Sequence, residues 1–154
     1  LHTNGYSLVR KIFNIDKEPS CLNHVYPELG RNLGKELLEP HRCYYTILCR
    51  LLPLIKGIAH ITGGGITGNM PRILPEGLAA KIEKKSWNIP PIFSLIQKEG
   101  NVEEAEMYRV FNMGIGMIVV CSSSDADEMI KKIPQSRIIG EIVKQKGARR
   151  VVLC

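Results

Sequence analysis

The stretch Gly57-Ile58-Ala59-His60-Ile61-Thr62-Gly63-Gly64-Gly65 constrains the fold of this chain more than any other, because an apolar run ends there on three consecutive glycines. Residues 57–62 read as a strand with Ile58, His60 and Thr62 on one face and Ala59 and Ile61 on the other. After it the chain must turn. Glycine accepts positive φ and has no side chain, so successive backbone N–H groups can converge on one bound group. Two readings stand at this point: a tight strand-to-helix turn that uses glycine for geometry alone, or a cradle for an anion. Asn69 is positioned to cap a brief helix, in which Pro71 and Pro75 leave room for a turn or two. A helix start of that kind favours phosphate. A P-loop is excluded, because no Gly-Lys-Ser/Thr follows the glycines.

Gly63, Gly65 and Gly68 also satisfy G-x-G-x-x-G, and Glu83 follows at the distance of a ribose-binding acid. The rival reading is therefore a stand-alone dinucleotide-binding module using Gly63, Gly65, Gly68 and Glu83. Against it, Pro71 and Pro75 interrupt the segment where a full Rossmann helix would run.

With 154 residues, 44% of them hydrophobic, the chain suits one domain that buries ~70% of the surface its unfolded form exposes. No apolar run approaches the ~20 residues that cross a bilayer, and the start does not resemble a signal peptide, so a soluble cytoplasmic protein is expected. Cys21, Cys43, Cys49, Cys121 and Cys154 form no C-x-x-C pair and fit reduced, mostly buried thiols. His2, His24, His41 and His60 lack the i, i+4 spacing of a helical metal site, so no metal ligands are expected. The net charge of +6 is carried by Lys and Arg in nothing longer than adjacent pairs, with acids interspersed. That pattern suits a small anionic substrate better than nucleic acid.

Along the chain, Leu8, Val9, Ile12 and Phe13 predict a first helix capped by Thr3 or Asn4, with a polar linker over 14–27. Leu29, Leu33 and Leu37 predict a helix ending before Pro40, and residues 44–56 a core-facing helix kinked at Pro53. Short helices are predicted over 90–98, closed by Gly100, and over 103–110; another, with Ser124 and Asp127 as a capping pair, runs through Ile133. Strands are predicted over 78–82, over 118–120 (buried on both faces), and over 138–143 and 151–153. The mixture makes an α/β (α+β layered) architecture, one three-layer domain with a mixed sheet. No serine elbow or Cys/His nucleophile motif appears.

Four blocks carry a resemblance. His2-Thr3-Asn4-Gly5-Tyr6-Ser7-Leu8-Val9-Arg10, His60-Ile61-Thr62-Gly63-Gly64-Gly65, Asn69-Met70-Pro71-Arg72-Ile73-Leu74-Pro75 and Met107-Tyr108-Arg109-Val110-Phe111-Asn112-Met113-Gly114-Ile115-Gly116-Met117 resemble, in wording, order and spacing, the C-terminal domain of the phosphoribosylformylglycinamidine cyclo-ligases, also called aminoimidazole ribonucleotide synthetases. The resemblance implies that residues 1–154 are that C-terminal domain and that an N-terminal ATP-binding domain lies outside the chain. It implies a purine-biosynthesis ligase that uses ATP and Mg2+, held mainly by that other domain, to close the imidazole ring of formylglycinamidine ribonucleotide. ATP would phosphorylate the formyl amide oxygen, an internal nitrogen would attack the same carbon, and phosphate would leave. The expected partners are the ribonucleotide and the enzyme's own N-terminal domain, in a homodimer, with no membrane and no nucleic acid. The domain alone is expected to be inactive.

Carried over by position, the resemblance implies His2 and His60 as catalytic residues, and Asn4, Thr62, Gly63, Gly64, Gly65, Asn69, Arg72 and Asn112 as substrate-binding ones. For Arg72 a surface ion pair is the competing reading, for Asn112 the end of a helix beside Gly114, and for His2 an exposed terminal histidine. This chain departs from the pattern at Thr3, where serine is usual, at His41, where threonine is usual, and at Gly68, where an acid is common. Formylglycinamidine ribonucleotide synthetase, selenophosphate synthetase and thiamine-monophosphate kinase share the two-domain plan and are the nearest alternatives. A non-catalytic partner-binding domain is a further one.

Overall fold

A computed structural model describes residues 1–154. In chain order the elements are α1 (Tyr6–Ile12), β1 (Val25–Tyr26), β2 (Arg31–Asn32), α2 (Leu33–Leu37), α3 (Tyr45–Leu48), β3 (Ile55–His60), α4 (Gly65–Asn69), β4 (Leu78–Ile82), α5 (Pro91–Gly100), α6 (Glu104–Val110), β5 (Met117–Cys121), α7 (Ala126–Lys132), β6 (Gly140–Lys144) and β7 (Val151–Leu153). The class is α/β, as expected. Its mixed sheet has the order β6-β4-β7, with β4 antiparallel to β6 and parallel to β7. Two smaller antiparallel pairs, β1-β2 and β3-β5, stand apart from it. No helix is long and apolar enough to cross a membrane.

The helices that dominate the core are those with the clearest apolar spacing. In α5, Ile92, Phe93, Leu95 and Ile96 are all buried, and Pro91 opens the helix where its missing N–H costs no hydrogen bond. The helix runs through Gly100, and the left-handed residue that ends it is Asn101, at φ 46. Phe93 meets Phe111, just past α6, edge to face with ring centroids 5.7 Å apart. Val9 from α1, Ile66 from α4 and Met107 from α6 complete this layer, all of them fully buried.

Several expectations change on folding. Residues 44–56 do not make one kinked helix: α3 stops at Leu48, a single 3-10 turn covers Leu52–Leu54, and Ile55 already pairs with Cys121 as the first residue of β3. Pro53 cannot donate to a helix, and β5 offers the following residues a sheet partner instead. α1 is preceded by Gly5 at φ 86 with no side-chain cap, because the Asn4 amide reaches across to the Val110 carbonyl at the end of α6. The predicted linker contains a 3-10 turn over Pro19–Asn23 and strand β1, and only the second half of residues 29–37 is helical, capped by Asn32 accepting from the Lys35 amide at 2.9 Å. Neither Ser124 nor Asp127 caps α7. In β5 only Ile118 is buried, so that strand is not covered on both faces. None of the five cysteines is buried; Cys43 and Cys154 are exposed.

Candidate active site

The site assembles where β3 ends. The strand pairs antiparallel with β5, His60 opposite Met117, and the pairing continues one step further as the Ile61 amide donates to the Gly116 carbonyl at 2.9 Å. Ala59 and Ile61 are buried while His60 is exposed, the alternation expected from the sequence.

His60 does not stand alone. The N-terminal segment brings His2 to within 5.1 Å of it, and the loop after α2 brings His41, whose ring centroid is 3.8 Å from that of His2 and 5.7 Å from that of His60. The nitrogens the three rings offer all lie within 4.8 Å of one another. Sequence spacing could not show this cluster, since its members come from three separate segments. His2 Nε2 is 3.1 Å from the Tyr44 hydroxyl, and both press on Gly116, where a Cβ would fall 1.9 Å from that hydroxyl and 2.7 Å from Nε2. Gly116 is thus a residue the site needs small.

Burial holds the His2 imidazole at a pKa of about 4, well below the histidine value of 6.5, and the neighbouring His41 and His60 rings add to the effect. His2 is therefore neutral at physiological pH. Between about pH 4 and 6.5 the unfolded chain binds the proton and the folded chain does not, so this group makes stability rise with pH across that window and fall on acidification through it. An NMR titration is expected to give His2 a midpoint near 4, and His2→Ala is expected to flatten that part of the Tm-against-pH curve. A midpoint at the ordinary histidine value would mean that the ring is not packed as described.

Beyond His60 the glycine turn divides by role. Gly65 is buried, sits at φ +59, and donates its amide to the Thr62 carbonyl at 3.0 Å; a Cβ there would lie 1.8 Å from the Tyr108 carbonyl oxygen. Its glycine is a packing requirement. Gly63 is exposed and Gly64 half-buried, and neither amide donates to a backbone carbonyl. A Cβ on Gly63 would meet nothing within 4 Å. The cradle thus offers two free amides, not the three that the sequence suggests.

Asn69 does not cap a following helix. It is 4% exposed, and its Nδ2 donates to the carbonyls of Thr62, Gly63 and Gly65 at 3.3, 3.1 and 2.8 Å while Oδ1 accepts from the Thr62 hydroxyl at 3.2 Å. The side chain braces the turn from beneath. Asn112 is also buried, its Oδ1 accepting from the Gly114 amide at 3.2 Å, and it lines a cleft of about 200 Å³ with His2, His41, Arg42, Tyr44 and Gly116. Asn4 has a buried Oδ1 without a hydrogen-bond partner. Arg72 is exposed on the 3-10 turn after α4 and forms none of the chain's ion pairs.

The dinucleotide reading fails on topology. A Rossmann unit needs parallel neighbouring strands around a full helix, whereas β3 pairs antiparallel with β5, α4 has five residues, and β4 belongs to another sheet. Glu83 is engaged with Lys81 at 3.0 Å.

A profile of the family described as "AIR synthase related protein, C-terminal domain" matches residues 1–152. The chain is 51% identical over 159 aligned positions to a phosphoribosylformylglycinamidine cyclo-ligase of Caldicellulosiruptor bescii, covering 99% of this chain and 46% of that protein. It is 51% identical over 152 positions to the protein of the same name from Thermoanaerobacter sp. (96% and 45%), and 48% identical over 153 to that from Bacillus thuringiensis subsp. konkukian (96% and 44%). The chain spans about half the length of the curated relatives it matches.

Proposed function

The chain belongs to the AIR synthase related family as its C-terminal domain, and from that premise we propose that it is the substrate-holding half of a phosphoribosylformylglycinamidine cyclo-ligase. The observation that carries this reading is identity at about half of all positions, across nearly the whole chain, with enzymes of that name. The reaction is ATP-dependent closure of the imidazole ring of formylglycinamidine ribonucleotide, giving aminoimidazole ribonucleotide, ADP and phosphate, in the cytoplasm. The formyl amide oxygen takes the γ-phosphoryl group as that group's bond to ADP breaks, the internal nitrogen then bonds to the same carbon and gives up a proton, and the carbon–oxygen bond breaks as phosphate leaves.

The cleft supports a half-site. Its volume of about 200 Å³ is below the ~300–1,000 Å³ usual for a small-molecule site, so a second lobe completes it, namely the enzyme's N-terminal domain within a homodimer. No carboxylate lines the cleft, so these residues do not fit Mg2+. The free amides of Gly63 and Gly64 fit a phosphate, which we assign to the ribonucleotide, and Arg72, exposed and without an ion pair, is the candidate cation on the turn that follows α4. Bound ATP supplies the phosphoryl group. Neutral His2 orients the amide end, Asn112 and Tyr44 shape the cleft beside it, and His60 moves the proton.

Ring closure in the complete two-domain enzyme is the test, with the 154-residue chain alone expected to give no turnover. Gly63→Val leaves the fold intact, because the space there is open, and its side chain obstructs approach to the retained amide, at the cost of about one charge-assisted hydrogen bond worth ~1.5–3 kcal/mol, so KM for the ribonucleotide should rise by roughly 10-fold or more. An unchanged KM would remove the glycine amides from the site, and an inactive complete enzyme would remove the proposed reaction.

A further inference from the structure

The geometry points to a transition-metal site made by His2, His41 and His60, taking Zn2+ with three imidazole nitrogens and leaving one coordination position open to the cleft. The three donor nitrogens already lie within 4.8 Å of one another. In a tetrahedral site with Zn–N bonds near 2.05 Å, ligand nitrogens stand about 3.3 Å apart. Closing the difference requires movements of the order of an ångström. Two of the three rings can supply them: His41 is exposed on a loop without helix or strand structure, and His60 is exposed at the end of a strand. His2 is the fixed member, held against Gly116 and Tyr44.

The donor set selects the metal. Three imidazoles with no carboxylate beside them suit zinc, nickel or copper and do not suit magnesium or calcium, which require oxygen ligands. The His2 ring also has a buried Nδ1 with no hydrogen-bond partner of full geometry, the Ile61 backbone being the one group of the fold that favours the protonated ring. The Tyr44 hydroxyl, 3.1 Å from Nε2 of the same ring, holds the imidazole in orientation, the role that outer partners play around zinc ligands. Bound zinc would tie the 41–44 loop to the end of β3 and narrow the entrance that His2, His41 and Arg42 line. Zinc on these rings would take up the nitrogens to which orienting the amide and moving the proton are assigned above, so the metal-bound chain is a state distinct from the reacting one, and Zn2+ binding is read without reference to turnover.

The test uses Zn2+ and Co2+ as probes on the 154-residue chain, reduced and stripped with chelator. Titration against a chromophoric chelator is expected to show one Zn2+ per chain, with a raised Tm, and Co2+ is expected to give the visible absorption of a four-coordinate ion without thiolate charge transfer. His41→Thr keeps a polar side chain on the loop and should weaken Zn2+ binding by more than about 10-fold, the loss that even outer-partner changes produce, and abolish the Tm shift. Cys43→Ser is the control for the exposed thiol two residues along the chain from His41 and should leave binding unchanged. Thiolate charge transfer that disappears in Cys43→Ser, or equal Zn2+ affinity in His41→Thr and the parent, overturns the proposal. Failure to retain any Zn2+ against the chelator does so as well.

Discussion

Replacing Gly65 by alanine is expected to destabilise the chain by about 3 kcal/mol or more, and alanine at Gly63, two residues earlier, to change stability by no more than about 0.5 kcal/mol. The contrast follows from position. At Gly65 the backbone sits at φ +59, where an L side chain adds about 1–2 kcal/mol of strain, and the new Cβ would lie 1.8 Å from the Tyr108 carbonyl oxygen, far inside contact distance. Neither the oxygen nor the turn can yield easily. The Tyr108 backbone is part of α6, and the turn is tied down by the Asn69 side chain and by the Gly65 amide bonded to Thr62. At Gly63 the φ is ordinary and the space empty. Urea denaturation of the two variants beside the parent measures the difference. Equal midpoints would show that α6 does not approach the turn as closely as described. Gly64, at φ +95, lies between these cases, so a bulky residue there perturbs the fold as well as any ligand; Gly63 is the cleaner probe of the cradle.

That division of labour was only partly legible in the sequence. Local signals found β3, because alternation and three glycines act over adjacent residues, and found β4 and β7 to the residue, because short β-branched or small apolar runs were bounded by turn residues. α5 was legible from its prolines and apolar spacing. The failures occur where a distant partner decides. Asn4 looks like a helix cap until the end of α6 takes its amide, and Ile55 looks helical until Cys121 pairs with it. The histidine cluster depends on three segments converging, so no spacing rule applies to it, and His41 read only as a departure at one position. Asn69 was found as important for the wrong local reason: its buried amide braces the turn it follows and does not cap the next helix.

Removing the His60 imidazole should have the largest effect on chemistry: in the complete enzyme, His60→Ala is expected to lower kcat by about 10²-fold or more while leaving Tm and KM nearly unchanged. The His2 ring lines the cleft, yet burial holds its pKa at about 4, so at neutral pH it stays unprotonated and is a weak base. It can orient an amide oxygen or nitrogen, but it is too weakly basic to hold a proton at neutral pH. His60, 5.1 Å away by ring centroid and exposed at the strand end, is the group proposed here to move the proton. Its substitution should cost little stability, because the ring is solvent-facing and makes no hydrogen bond that the core depends on. The same exposure offers a readout that a structural role would not move: the vacancy left by alanine is open to water, so added imidazole should restore part of kcat. His41→Thr separates the two exposed rings, since it should leave kcat nearly unchanged if His60 is the proton carrier. Full activity in His60→Ala would transfer the role elsewhere in the cluster, and loss of activity without imidazole rescue, together with a lowered Tm, would reduce His60 to a structural residue.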